Sequence, residues 1–149
     1  MIFDVLGAWS VRLLLSICLV FVVLDNANAA SCPNSFGAFL ERFGSDRAFQ
    51  ESHIRYPLLY SMSEDGECYP DCARIKYRLT AANIAGRGNA VFPLITNRQE
   101  SGLDIKLSVR GRQAEVKVFM PESDAYSFIF RFDRAKDCWK LTSVEDWSL

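Results

Sequence analysis

The amino-acid sequence predicts an α+β domain in which N-terminal amphipathic helices pack on a curved, mainly antiparallel sheet, with a meander in the C-terminal half. Two observations lead to this prediction. Phenylalanines recur at helical spacing shortly after residue 35, and apolar and polar residues alternate through the last third of the chain, with only short turns between the runs. The apolar faces of such strands need covering, and the N-terminal helices are the only long amphipathic elements that could cover them.

The start of the chain predicts an export signal. Leu13–Leu24 is an uninterrupted apolar run that is shorter than the roughly 20 residues a spanning helix needs. A small-x-small pattern at residues 27–29 matches a signal-peptide cleavage site. We therefore expect residues 1–29 to be a cleaved signal peptide and residues 30–149 to be a single α+β domain. An uncleaved anchor is the rival interpretation, because Asp4 weakens the positive flank.

The expected location is the periplasm or the medium, with no transmembrane segment in the mature chain. A lipid anchor on Cys32 is the alternative, because residues 29–32 loosely resemble a bacterial lipobox. Two features disfavour that alternative: Ala29 replaces the usual leucine, and a polar spacer separates the apolar run from the cysteine.

The net charge of the chain disfavours nucleic acid and anionic membranes as partners. The whole chain has a formal net charge of −1, and removing residues 1–29 leaves equal numbers of acidic and basic side chains. Such a neutral domain has no basic excess to attract nucleic acid or an anionic membrane. The expected partner is a small molecule or another exported protein.

Four cysteines remain after Cys18 leaves with the signal, namely Cys32, Cys68, Cys72 and Cys138. An even number in an exported chain predicts two disulfides, for which three connectivities are possible. The bend at Pro70 favours Cys68–Cys72, and Cys32–Cys138 then follows.

Redox and metal chemistry are disfavoured by the same count. Three residues separate Cys68 from Cys72, whereas a thioredoxin-type site has two between its thiols. One histidine and no second cysteine pair do not supply a zinc site. We expect no metal and no cofactor.

Two helices are predicted next. Asn34 or Ser35 caps the first helix, which Gly44 is expected to end. Its apolar stripe contains Phe36, Phe39, Leu40 and Phe43. Ser45 or Asp46 caps the second helix. Its expected inward residues are Ala48 and Phe49, and its expected outward residues are Arg47, Gln50 and Glu51.

Alternation from Ile54 to Tyr60 predicts a strand, and Pro57 makes it an edge strand or a broken one. A turn-rich loop follows from Ser61 to Cys72. Residues 73–82 predict another strand, whose basic row is most simply a solvated face. Residues 84–89 predict a loop, and residues 91–95 a strand edge or a segment packed under a loop.

The last third predicts four antiparallel strands. Three of them run over residues 103–110, 114–120 and 126–132, and the last begins at Trp139. Trp139 and Trp147 would be core residues if buried and interface residues if exposed.

Two blocks at opposite ends of the chain resemble a known family. The first contains Phe36-x-x-Phe39-Leu40-x-x-Phe43-x-x-Asp46-x-x-Phe49-Gln50 and then Ile54-Arg55-Tyr56-Pro57-Leu58. The second runs from Phe128-x-Phe130-x-Phe132 through Cys138-Trp139-Lys140-Leu141 to Glu145-Asp146-Trp147-Ser148-Leu149. Both resemble a domain-of-unknown-function family of small exported bacterial proteins, which looks related to the cone-shaped α+β superfamily named after nuclear transport factor two. The resemblance implies helices that cap a strongly curved sheet.

Relatives of that cone use an Asp, His or Tyr inside it, so the resemblance implies candidates here. The catalytic candidates are His53, Asp46 and Asp146, and the ligand-binding candidates are Tyr56, Tyr60 and Tyr77. Each catalytic candidate also has a structural interpretation. His53 sits at a helix C-terminus and Asp46 is an N-cap. Asp146 either pairs with an arginine such as Arg55 or is exposed.

The sequence favours a non-catalytic module that binds a ligand or a protein. The first alternative is a lyase or isomerase that uses His53 in a pocket, and the second is an immunity or inhibitor protein that acts against an exported toxin. Whether the chain is an enzyme stays open, with the balance towards no. A cone filled by Phe36, Phe39, Phe128 and Phe130 would count against catalysis, whereas a cavity holding His53 and a carboxylate would support it.

Overall fold

The computed structural model describes residues 31–63, 73–86, 88 and 90–148. The helices are α1 (Phe36–Ser45), α2 (Arg47–Ser52), α3 (Ala81–Ala85) and α4 (Ile95–Glu100). The strands are β1 (Ile54–Ser63), β2 (Arg74–Leu79), β3 (Asp104–Arg110), β4 (Gln113–Phe119), β5 (Ser127–Arg134) and β6 (Trp139–Asp146). The expected signal peptide and the expected Cys68–Cys72 bridge lie outside the described residues. Within the described ranges, every helix is too short or too polar to cross a membrane.

Local side-chain caps begin the first two helices. The Ser35 hydroxyl accepts a hydrogen bond from Ala38 N at 3.2 Å, and the Asp46 carboxylate accepts one from Phe49 N at 3.0 Å. The expectation that Gly44 ends α1 is wrong. The helix continues to Ser45, because Asp46 N still bonds to Arg42 O at 2.9 Å. Asp46 therefore closes α1 and caps α2.

The second helix buries a different face from the one expected. Ala48 is exposed, whereas Gln50 is only 1% exposed. Gln50 Nε2 donates to Phe43 O and Phe92 O, both at 3.0 Å, and Gln50 Oε1 accepts from Phe92 N at 3.0 Å. A buried amide is stable only when its polar atoms are paired, and here it joins α1 to the segment before α4. The prediction that Gln50 points outwards is therefore wrong, because its buried amide is paired with backbone groups.

The sheet has six strands in the order β2-β1-β6-β5-β4-β3. The predicted meander is confirmed, since β3, β4, β5 and β6 pair antiparallel in sequence order. β1 is not an edge strand, because it lies between β2 and β6 and runs parallel to β6. The strand is not broken either, since β1 is continuous from Ile54 to Ser63. The register with β6 shifts between Ile54 and Leu59, the stretch that contains Pro57.

The core lies where the phenylalanine stripe of α1 meets the inner face of the sheet. Rings of Phe36, Phe39 and Phe43 lie 5.4, 5.9 and 5.2 Å from the ring of Phe132 on β5, all edge-on. All four are buried. Edge-to-face geometry at these distances is favourable beyond the area that the rings bury. The prediction that the N-terminal helices cover a sheet is thereby confirmed.

Two short helices occupy segments that were predicted otherwise. β2 ends at Leu79 instead of running to residue 82, and α3 replaces the end of the predicted strand and the start of the predicted loop. The Thr80 hydroxyl and the Asn83 side chain cap this helix reciprocally, a local signal that outweighs the glycines after it. α4 begins at Ile95, where a strand edge or a packed segment was expected, and Phe92 just before it is fully buried.

Strand β3 departs most from expectation. Its apolar residues share the inner face with Ala114, Val116 and Val118 of β4, which are buried. The helices do not cover β3 itself. Its inner residues Ile105, Leu107 and Val109 remain 37%, 49% and 46% exposed. The prediction that the helices would cover all four meander strands is therefore wrong for this edge strand.

A disulfide joins Cys32 to Cys138 across 106 residues of sequence, as the cysteine count suggested. It fixes the segment before α1 to the residue before β6. In the loop-entropy model, closing so long a loop stabilises the fold by about 4–5 kcal/mol.

Replacing Gln50 by leucine should destabilise the domain by about 2–4 kcal/mol. The leucine has a similar volume but leaves Phe43 O and both backbone groups of Phe92 without their side-chain partner. Urea unfolding followed by circular dichroism measures the change. Gln99→Leu is the matched control, because Gln99 is exposed on α4. Equal effects from the two substitutions would contradict the assignment.

Candidate functional site

The inner face of the sheet contains a cavity of about 250 Å³ at the end away from the α1 stripe. The sheet contributes apolar and aromatic side chains to its lining, from Leu79, Phe128, Phe130 and Val144. Ile84 of α3 and the segment at residues 90–91 complete the apolar lining. This volume lies just under the usual range of about 300–1,000 Å³ for ligand sites. The cavity therefore suits a small, mainly apolar molecule.

Two tyrosines, Tyr60 and Tyr126, add polar groups to this lining. The Tyr60 hydroxyl donates to Asp146 Oδ2 at 2.9 Å. Asp146 Oδ1 accepts from Ser148 N at 3.0 Å, so the carboxylate is held from both sides. Tyr60 therefore fixes the position of the Asp146 carboxylate beside the cavity wall. The pairing of Asp146 with Arg55 was wrong, because Arg55 instead bonds to Asp133 at 3.3 Å.

Tyr126 is the second polar group in the lining, and no pattern in the sequence pointed to it. Its ring lies 4.7 Å from that of Phe128. Burial and the nearby negative charge of Asp146 raise the pKa of the Tyr126 phenol above its usual value of 10, while Arg98 lowers it in part. Tyr126 is therefore neutral at physiological pH and can donate or accept a hydrogen bond.

Arg74 of β2 contacts the backbone of Asp146 and the ring of Trp147. One Arg74 Nη donates to the Ser61 and Asp146 carbonyl oxygens, both at 3.1 Å. The guanidinium also lies over the Trp147 ring, 3.9 Å from its centre. Trp147 is 46% exposed and Trp139 only 4%, so Trp139 is the core residue of the two. Arg74 thus helps to fix Asp146, a role that the expectation of a solvated basic face missed.

His53 lies outside the lining of this cavity. It follows α2, where its ring stacks on Phe49 at 3.9 Å and its Nδ1 donates to Phe49 O at 2.8 Å. Burial lowers the pKa of His53 below 6.5, and the hydrogen bond to Phe49 opposes this only in part. Among the described residues, the hydrogen-bond partners of the His53 ring are Phe49 O and Ser52 Oγ, neither of which is a carboxylate.

The other candidates are dispersed. Asp46 caps α2, and Tyr56 is exposed on β1. Tyr77 is exposed on β2, where its ring lies 6.4 Å from that of Tyr60. The structure therefore brings together Tyr60 and Asp146 from the candidate set, with Tyr77 at their side.

The outer face of the sheet carries two further depressions of about 470 and 540 Å³. In the first, Arg131 binds Glu145 and also bonds to Glu115 at 3.2 Å, so these charges satisfy one another. The second lies beside exposed Leu59, Lys76 and Arg78. The inner cavity is instead enclosed by buried apolar side chains such as Ile84, Phe130 and Val144, which makes it the stronger candidate site. No group of three or more metal-ligating side chains occurs within the described ranges.

Solved structures identify the architecture. No protein-family model matches the chain, and no curated protein matches it in sequence. An NTF2-like protein from Bacteroides fragilis aligns with a TM-score of 0.54 at 17% identity, over 76% of this chain and 47% of that protein. This chain has the NTF2-like fold. The predicted likeness to the cone-shaped fold of nuclear transport factor two is thereby confirmed.

Two more distant structures also align. One is an NTF2-like protein with a cystatin-like fold from Novosphingobium aromaticivorans, at 18% identity and a TM-score of 0.35, over 72% of this chain and 71% of that one. The other is the β subunit of a putative aromatic-ring-hydroxylating dioxygenase from the same organism. It aligns at 16% identity and a TM-score of 0.36, over 76% of this chain and 84% of that one. At such identities the likeness concerns the NTF2-like fold alone. The chain spans less than half the length of the Bacteroides protein.

The pKa of Tyr126 should lie above that of tyrosine in the unfolded chain, and Asp146→Asn should lower it. Removing the Asp146 charge removes one cause of the upward shift. Because the folded pKa is the higher one, the contribution of Tyr126 to stability is complete below about pH 10 and is lost as pH rises through the folded value.

Carbon-13 NMR titration of the labelled tyrosine Cζ atoms measures both values. Asp133→Asn is the control, because Asp133 pairs with Arg55 instead and is not among the groups that shift Tyr126. A Tyr126 pKa at or below the unfolded value would contradict this description of the cavity.

Proposed function

We propose that this domain is a non-catalytic binding module that holds a small, mainly apolar ligand in the inner cavity. The observation that carries the proposal is the unfilled space lined by aromatic side chains that include Tyr60 and Tyr126. A fully packed core would leave no such volume. Aromatic walls with a few convergent polar groups are typical of ligand sites.

The arrangement of the polar groups suggests the class of ligand. Tyr126 lines the cavity and offers a neutral hydroxyl that can donate or accept a hydrogen bond. A compact apolar molecule with one hydroxyl or amide group matches this single polar group. The alternative of a lyase or isomerase using His53 has less support, because His53 is outside the cavity lining and its Nδ1 is engaged by Phe49 O.

Benzyl alcohol should bind about fivefold more tightly than toluene. The two probes have the same ring, and one hydrogen bond is worth about 1 kcal/mol. NMR shifts of the Ile84 and Val144 methyl groups report occupancy, because both residues line the cavity. The variant Tyr126→Phe should abolish the preference while toluene binding stays within about twofold.

Two controls accompany this experiment. His53→Gln should bind both probes as the unmodified protein does. Ala90→Trp places a large ring at the cavity wall and should prevent binding of either. Absence of methyl shifts with both probes, or unchanged shifts in the Ala90→Trp protein, would contradict the proposal.

We also propose that the domain acts after export, in the periplasm or the medium. The support is the apolar run at Leu13–Leu24, the cleavage pattern at residues 27–29 and the Cys32–Cys138 disulfide, a bond typical of oxidising compartments. The disulfide also uses the Cys32 sulfur that a lipid anchor would need.

The intact mass of the protein recovered from the periplasm and medium tests this proposal. The expected species begins at Ala30 and has no lipid on Cys32. A species that begins at Met1, or one whose mass includes diacylglycerol, would refute it.

A further inference from the structure

Strand β3 presents an open edge. It is the last strand of the sheet, and all seven of its residues are exposed. Among the described residues no strand pairs with its outer edge. Long apolar edge strands are templates for pairing with another chain, and proteins commonly protect them with prolines, bulges, charged side chains or short length. The charged side chains of β3, Asp104, Lys106 and Arg110, alternate with its apolar residues and so lie on the opposite face. β3 has no proline and pairs with β4 without a bulge.

The turn after β3 fixes which backbone groups point outwards. Gly111 and Arg112 form a two-residue turn closed by the pair Arg110 and Gln113, with Gly111 at φ 59° in its first position. The closing pair of such a turn is hydrogen-bonded, and bonded and non-bonded pairs then alternate along the hairpin. The N–H and C=O groups of Ile105, Leu107 and Val109 therefore point to the open edge.

We propose that β3 pairs antiparallel with β3 of a second copy of this chain, about a two-fold axis at Leu107. In this register Leu107 faces Leu107 of the partner subunit, and Ile105 faces Val109 of the partner subunit. These are the residues whose backbone groups point outwards, so they form the hydrogen-bonded pairs. The six-stranded sheets of the two copies become one continuous sheet, as a two-fold self-complementary contact allows.

Charge supports this register. Asp104 faces Arg110 of the partner subunit, and by symmetry the pair occurs twice. Within one chain Asp104 lies opposite Phe119 and Arg110 lies opposite Gln113, and among the described residues neither charge forms an ion pair. These pairs fall at the closely spaced non-bonded positions, where opposite charges interact best. Moving the axis by two residues would pair fewer than half of the strand residues.

Sedimentation velocity of the purified protein over about 1–100 µM tests the pairing. The expected result is a dimer that Asp104→Arg and Arg110→Asp each weaken at least about tenfold, because each change replaces two attractive pairs with two repulsive ones. The double variant exchanges the charges and should restore the dimer. Lys136→Glu, in the exposed turn between β5 and β6, is the charge-matched control and should leave the dimer intact.

A cysteine variant gives an independent measurement that does not depend on the charge variants folding well. Leu107→Cys places two thiols across the axis at a hydrogen-bonded pair, where Cα atoms are about 5.5 Å apart and suit a disulfide. It should form a covalent dimer in air, and Ser108→Cys should not. A monomer at all concentrations, a dimer unchanged by both single charge variants, or no rescue in the double variant would overturn the proposal.

Discussion

The architecture depends on the packing of the α1 phenylalanine stripe against Phe132. This ring lies on β5, which has two strands on one side and three on the other, and three rings of α1 meet it edge-on. Burying a phenylalanine contributes roughly 1.5–3 kcal/mol, so this cluster is a large part of the small net stability of a domain. The Cys32–Cys138 disulfide supports this packing, because it joins the segment before α1 to the turn between β5 and β6. Sliding of the helix along the sheet is thereby restricted.

The same packing explains why a cavity exists where it does. The rings of α1 and the ring of Phe92 fill one end of the cone, and His53 belongs to that filled end through Phe39 and Phe49. The other end is roofed only by Ile84 of α3 and the segment after it. A five-residue helix presents few side chains, so the inner face there keeps unfilled space. The separation of His53 from the cavity thus follows from which end α1 covers.

How much could be predicted from sequence follows from the range of each interaction. The α1 stripe and the meander are periodic over neighbouring residues, so the pattern predicts them. The Tyr60–Asp146 hydrogen bond was not predictable, because it joins residues 86 apart and depends on the parallel pairing of β1 with β6. Gln50 illustrates the same limit, since its burial depends on Phe92, which is 42 residues away. The exposure of β3 depends on strand order, which periodicity does not encode.

The ligand cavity and the β3 edge occupy separate parts of one sheet. The cavity lining comes from β1, β2, β5 and β6 and from the segment around α3, and it includes no residue of β3 or β4. Pairing through β3 would therefore leave the lining of each cavity unchanged, and occupancy of one cavity would reach the other only through intervening strands. Allosteric coupling requires a ligand to bind two states with different affinity. With no lining residue at the paired edge, the geometry favours two independent sites in one continuous sheet.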